Sequence, residues 1–123
     1  MSAGKVLILL VDDEPNFLLL VRTRLEAKGY EVVTAPDGVN ALERVNERKP
    51  DLILLDVLMP RMDGYEALEK LRQGKGTQKI PVIMFSAKGQ PDDLKLSREL
   101  GATDYLLKPF DPNDLIQKIE QKK

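Results

Sequence analysis

LILLDVLMP, residues 52–60, decides how the rest of the chain is read. Four consecutive apolar residues, Leu52 to Leu55, end abruptly at a lone carboxylate, Asp56, with Met59-Pro60 close behind. A short unbroken apolar run suits a strand of a parallel sheet, because helices cover both faces of such a sheet. A carboxylate on the last residue of that strand stands at the carboxyl edge of the sheet, where open α/β sheets hold their ligands. Asp is also a common turn residue. Taken alone, Asp56 reads as a turn residue.

Outward from that stretch, strands and helices alternate to both ends. Lys5 to Val11 (KVLILLV) is a buried-type strand stopped by Asp12-Asp13, and Pro15 opens a helix to Lys28 that Gly29 ends. Tyr30 to Thr34 is β-branched and partly polar, which suits a strand near an edge. Asp37 caps a helix running to about Arg48, and Asp63-Gly64 opens another in which Tyr65, Leu68 and Leu71 recur at helical spacing. Ile80 to Phe85 is a fourth strand stopped by Ser86, with Pro81 tolerable only near its start. A helix over Pro91–Leu100, a strand over Asp104–Leu107 and a helix from Pro112 complete the series. GKGTQK, residues 74–79, is a flexible-looking connection that lacks the spacing of a nucleotide loop. Five strands alternating with five helices predict an α/β, doubly wound parallel sheet of flavodoxin-like order 2-1-3-4-5.

In such a sheet the residues that stop the strands share one edge. Asp12 and Asp13, Asp56, Ser86 and Lys108 therefore converge, and coincidence at four strand ends is a weaker explanation than at one. Three carboxylates and one ammonium leave a formal charge of about −2 in a small space, which is costly without a counter-ion. A hard divalent cation would supply it, and Mg²⁺ suits a site with few carboxylates, several waters and a phosphate oxygen. A calcium loop fails on spacing: with Gly64 at the invariant glycine, Met59 and Arg61 would fall at ligand positions. Beside Mg²⁺, Asp56 is placed to act as a nucleophile towards phosphorus, with Lys108 neutralising developing charge and Ser86 donating a hydrogen bond.

The four motifs LILLVDDEP, LILLDVLMPRMDGYE, IPVIMFSA and DYLLKPF together resemble the receiver domain of bacterial two-component response regulators. The resemblance covers essentially the whole chain, residues 1–123, as one receiver domain. It implies that Asp56 is the phosphoacceptor and that Asp12, Asp13, Asp56 and the backbone carbonyl of Leu58 hold Mg²⁺. It implies further that Ser86 is the switch hydroxyl, that Lys108 pairs with the phosphate, and that Tyr105 is the aromatic that turns inward on activation. The implied phosphoryl donor is a histidine kinase or a histidine phosphotransfer protein. The helix over 91–100, the strand over 104–107 and the final helix form the implied output surface, whose partner protein or downstream domain the sequence does not identify. The resemblance implies a cis Lys108-Pro109 bond, against the trans base rate. Leu58 stands where some members carry a polar residue that orients attacking water, and Lys88 where fast-dephosphorylating members carry an acid. Slow loss of phosphate is expected. Ser86 in place of the commoner Thr is expected to loosen the switch.

Composition bounds the alternatives. Nineteen basic against twenty acidic residues give a formal charge of −1 with no basic stripe, so direct nucleic-acid binding is not expected. With no Cys and no His, disulfides, thiolate metal sites and the commonest general base are excluded. No apolar run is long enough to span a membrane, and a cytoplasmic protein is expected. A Mg²⁺-dependent phosphohydrolase with an aspartyl-phosphate intermediate is the runner-up, but it calls for a second Asp two residues after the nucleophile, where Leu58 stands. An FMN carrier would need a Ser/Thr-rich loop after the first strand and stacking aromatics, and Trp is absent. The expected role is a switch that promotes its own phosphorylation and dephosphorylation without turning over a small molecule. On the first helix, Phe17, Leu20, Val21 and Leu25 are predicted to form the core stripe. Leu19 then lies opposite and Leu18 on the flank, as a docking face for the kinase. Whether the chain is a complete regulator or a receiver cut from a longer one is open.

Overall fold

The computed structural model describes residues 5–59, 61–87 and 91–122. Its elements run β1 (Leu7–Val11), α1 (Pro15–Ala27), β2 (Glu31–Ala35), α2 (Gly38–Glu47), β3 (Leu52–Asp56), α3 (Gly64–Gln73), β4 (Val82–Ser86), α4 (Pro91–Glu99), β5 (Asp104–Leu107) and α5 (Pro112–Lys122). All pairings are parallel and the order is β2-β1-β3-β4-β5, as the alternation predicted. The apolar runs of β1, β3 and β4 are buried along their whole length, because both faces of the sheet are covered.

Successive side chains of a strand point to opposite faces, and the core divides accordingly. Leu9, Val11, Ile53, Leu55, Val82 and Met84 pack with Ala41 and Val45 of α2 and Ala67, Leu68 and Leu71 of α3. Ile8, Leu10, Leu52, Leu54, Ile83 and Phe85 pack with Val21 and Leu25 of α1 and Leu115 and Ile119 of α5. This two-sided packing fixes the register of the strands, since a one-residue slip would exchange the two sets.

Several sequence expectations shift: β1 starts at Leu7 and not Lys5, β4 runs through Ser86, and three further changes have a plain physical cause. β2 starts at Glu31 and not Tyr30: the Tyr30 amide donates to Leu25 O at 3.2 Å to close the end of α1, and the ladder begins with Glu31 N to Val6 O at 3.0 Å. β4 starts at Val82, since Pro81 has no N–H for the ladder; its carbonyl still accepts from Ile53 N at 3.0 Å. On α1, Leu20 is 56% exposed and Leu18 packs against the core. At about 100° per residue, Leu20 lies about 100° from Val21 on the flank away from Leu25, while Leu18 falls about 20° beyond Leu25 on the buried side. The exposed pair is therefore Leu19 and Leu20.

Candidate functional site

The register builds the site. Val11 pairs with Leu55, which brings Asp12 level with Asp56; Asp56 pairs with Phe85 and Ser86 with Leu107, which carries the line on to Ser86 and Lys108. Backbone bonds beyond the strands hold that edge: Asp12 N to Ala35 O at 3.1 Å, Val57 N to Phe85 O at 3.1 Å and Lys108 N to Ser86 O at 2.8 Å. Gly64 lets α3 start hard against the end of β3. A Cβ there would sit 2.2 Å from Asp56 O, and the Gly64 amide donates to Val57 O at 2.8 Å. Asp63 caps that helix through Glu66 N at 2.9 Å.

Carboxylate oxygens of Asp12, Asp13 and Asp56 lie within 4.8 Å of one another, with Asp12 and Asp56 buried and Asp13 exposed. Asp12 is satisfied on both oxygens: Oδ1 accepts from Glu14 N at 2.9 Å and Oδ2 from Lys108 Nζ at 2.7 Å. The same ammonium is 3.6 Å from Asp56 Oδ2. Burial first, and then the charge of Asp12, push the Asp56 carboxyl up to about 6, with Lys108 only partly offsetting them. The site thus carries more negative charge than its one lysine balances. That excess, on hard oxygen donors open to solvent on the Asp13 side, fits a hydrated divalent cation.

Lys108 is itself braced from below. Its Nζ lies 4.3 Å from the ring centroid of Phe17 and 5.2 Å from that of Phe85. Those rings join Phe110 in a mutual cluster with centroids 5.4–6.0 Å apart. A cation over aromatic faces is held without competing for the carboxylates. The Lys108-Pro109 bond is cis, as the resemblance implied. Ser86 is buried at the end of β4, and Tyr105 is half-buried on β5. The Leu58 side chain is 51% exposed. Lys88 lies outside the described residues.

Three features escaped the sequence. The aromatic brace was hidden because Phe17 and Phe85 read only as core positions. Arg61 adopts a left-handed φ of 66° and sends Nη2 and Nε to Asp37 Oδ2 at 2.7 and 3.0 Å, closing the β3–α3 loop against the start of α2. Asp37 had read only as a cap. Tyr65, read only as a core-facing residue of α3, places its hydroxyl 3.5 Å from Asp93 Oδ1 of α4.

Comparison with known proteins agrees with this geometry. The family model of the response regulator receiver domain matches residues 8–120. The chain belongs to the response regulator receiver domains. It is 44% identical over 113 residues to the alkaline phosphatase synthesis transcriptional regulatory protein PhoP of Bacillus subtilis, covering 92% of this chain and 46% of that protein. The receiver thus spans about half the length of the curated relatives it matches. Chemotaxis protein CheY4 of Vibrio cholerae superposes with a TM-score of 0.93 at 32% identity, covering 98% of this chain and 100% of that one. The receiver domain of sensor histidine kinase PA1611 from Pseudomonas aeruginosa superposes at 0.89 with 29% identity, covering 97% and 98%; that structure has a magnesium ion coordinated in its active-site cleft. No described helix of this receiver is long and apolar enough to cross a membrane.

Proposed function

We propose that Asp56 accepts a phosphoryl group from a phosphohistidine donor, a histidine kinase or histidine phosphotransfer protein, and that the whole chain is one receiver domain acting as the switch. The observation that carries this reading is the buried Asp56 carboxylate within 4.8 Å of two others, with Lys108 Nζ bridging Asp12 and Asp56 at 2.7 and 3.6 Å. An Asp56 oxygen forms the new O–P bond as the donor's P–N bond breaks, and the electron pair leaves with the imidazole. Lys108 follows the charge onto the phosphoryl oxygens, and Ser86 donates a hydrogen bond to one of them. Asp12, Asp13, Asp56 and the Leu58 carbonyl are the proposed Mg²⁺ ligands, and the ion when bound supplies the positive charge that one lysine cannot. The receiver also catalyses its own return by hydrolysis, in which water takes the phosphoryl group and Asp56 is regenerated. With Leu58 where a polar residue would orient that water, and Lys88 where an acid would favour its attack, the return is slow.

Exposed Leu19, Leu20 and Leu58 lie on elements that border this site and supply an apolar surface for the donor. Phosphorylation favours the conformer that Ser86 and Tyr105 complete, and the surface of α4, β5 and α5 carries the result to an output partner in the cytoplasm. Direct nucleic-acid contact is not assigned to this chain; DNA binding is named for a relative that extends well beyond the matched region. The phosphohydrolase reading is not favoured, because Leu58 stands where its second carboxylate is required.

Incubation with acetyl phosphate and Mg²⁺, followed by intact mass, tests the assignment. One phosphoryl group adds to the native chain and none to Asp56→Asn. Turnover of phosphomonoesters, or undiminished uptake by Asp56→Asn, overturns it.

A further inference from the structure

Lys108 is held on one carboxylate and needed at another. Its ammonium donates to Asp12 Oδ2 at 2.7 Å, yet stands 3.6 Å from Asp56 Oδ2, beyond an ordinary hydrogen bond. A lysine ammonium is strongly hydrated on a flexible stem, so pairing with a new anion costs it water and rotamer freedom. Here two rings stand where part of that water would be. Nζ lies 4.3 Å from the Phe17 centroid and 5.2 Å from that of Phe85, and the Lys108 side chain is 24% exposed. A ring face attracts a cation out to about 6 Å from its centroid, whereas a hydrogen bond fades steeply with distance and angle. The ammonium can therefore move between oxygens and stay over Phe17. Phe85 is fixed in the sheet, but Phe17 comes from the first turn of α1, just ahead of exposed Leu19 and Leu20.

We propose that Phe17 is a positioning residue for phosphoryl transfer: its ring holds the Lys108 ammonium beside the Asp12–Asp56 pair, part-stripped of water and ready to pass to the phosphoryl oxygens. The proposal rests on the receiver reading of the site and adds to it a residue of α1, the helix that borders the site on the donor's side. Ordering and drying the lysine in advance removes part of the cost of binding the phosphoryl group. Mg²⁺ gains nothing from it, because the ion takes carboxylate and carbonyl oxygens and not the ammonium. Loss of the ring should therefore separate the two affinities.

Beryllofluoride at saturating Mg²⁺ serves as the phosphoryl probe and Mg²⁺ alone as the probe of the carboxylates, both followed in ¹H–¹³C spectra of lysine-labelled protein. The Lys108 ε-CH₂ signal, identified by its absence from Lys108→Met, is expected upfield of the other lysines because ring currents shield it. Phe17→Leu keeps an apolar side chain in the cluster and removes the ring. That signal is expected to move back towards the others and the beryllofluoride midpoint to rise about fivefold, the worth of one part-desolvated cation–π contact, while the Mg²⁺ midpoint stays. Phe110→Leu is the packing control: its ring meets those of Phe17 and Phe85 at 5.8 and 6.0 Å, and it is those two that lie against the ammonium. Both midpoints are expected to stay near wild type in it. An unchanged beryllofluoride midpoint in Phe17→Leu overturns the proposal, as does a Mg²⁺ midpoint that weakens in step with it, or an equal rise in Phe110→Leu. A wild-type Lys108 signal among the other lysines overturns it too, and that result needs no ring variant to fold. Wild-type protein that takes up no beryllofluoride fails the receiver reading itself, before any variant is made.

Discussion

The two ends of the sheet use their polar groups in opposite ways. At the amino end polar groups are paired with one another. Leu7 N donates to Asp51 at 2.8 Å, Arg48 forks onto both oxygens of Glu31 at 2.6 and 2.8 Å, and Val82 N donates to Thr103 Oγ1 at 3.1 Å. Arg72 sends Nε and Nη2 to Gly101 O at 3.0 and 2.8 Å, and Nη1 to Thr77 O at 3.3 Å. At the carboxyl end three carboxylates share one ammonium, and Asp56 is left with a carboxyl pushed up to about 6. A satisfied polar group holds a fold together; one crowded with like charge and short of partners is a demand for a ligand, and its cost to stability marks the functional end.

Removing the demand should break the contrast most visibly. In Asp56→Asn, phosphoryl uptake is lost while stability at pH 7 rises by about 2–3 kcal/mol, the scale of a carboxyl displaced by about two pH units in a buried site. The sign follows from the raised value. Relative to the unfolded chain, the folded state holds this proton more tightly, so the stability it contributes is full below pH about 4 and lost as pH rises through 6. The difference between variant and wild type in urea unfolding should therefore shrink towards zero on going from pH 7 to pH 4. Added Mg²⁺ should stabilise the wild type and not the variant, since only a folded site binds it.

The opposite change at the amino end should give the opposite result. Arg72→Ala leaves the carbonyls of Gly101 and Thr77 without their donor and empties a partly buried position. Stability should fall by about 2–3 kcal/mol with phosphoryl uptake per folded molecule unchanged. A loss of uptake at constant folded fraction would show that the two ends are coupled.

How far this division was legible in the sequence depends on what each residue had to reveal. Continuous apolar runs such as LILLD announce two-sided burial, and a parallel sheet then forces Asp12, Asp56, Ser86 and Lys108 onto one edge whatever lies between them. Alternation of elements was enough for that. Leu20 was misplaced because a run of three leucines satisfies more than one helical face, and only packing against β2 and α5 selects Leu18. Arg61 and Tyr65 were silent for a different reason: their partners, Asp37 and Asp93, lie 24 and 28 residues away on other elements. No local period encodes such pairs, and Arg61 gave no warning of a left-handed backbone that glycine normally fills.

Arg61 sharpens the contrast within the carboxyl end itself, since it is a satisfied group in the midst of an unsatisfied site. Arg61→Ala keeps the left-handed backbone and loses the ion pair to buried Asp37. Stability should fall by about 1 kcal/mol, held down by the exposure of the guanidinium. Arg61→Gly loses the same pair but relieves the backbone at φ 66°, and should lie closer to wild type in thermal unfolding. Equal losses in the two variants would mean that the backbone there is not strained.

The smallest effect expected at neutral pH belongs to Tyr30, at the amino end. Its hydroxyl donates to Glu120 Oε2 at 2.5 Å, and burial, then that bond and the carboxylate's charge, push the phenol up to about 12. An acid raised in the folded state contributes stability that is full below its unfolded value near 10 and lost as pH climbs from 10 towards 12. Lysines titrate in the same range, so the wild-type curve alone decides nothing. The difference from Tyr30→Phe does, because only the phenol has been removed. That difference should be flat from pH 6 to about 9, at roughly the 1 kcal/mol of one hydrogen bond, and should close steadily above 10. At the carboxyl end the corresponding difference, Asp56→Asn against wild type, has the opposite sign and opens with pH between 4 and 6. The satisfied end is thus stabilised by its titrating group across the neutral range, and the functional end is destabilised by its own. Two unfolding series against pH, one for each variant, would show whether the ends of this sheet are divided in that way.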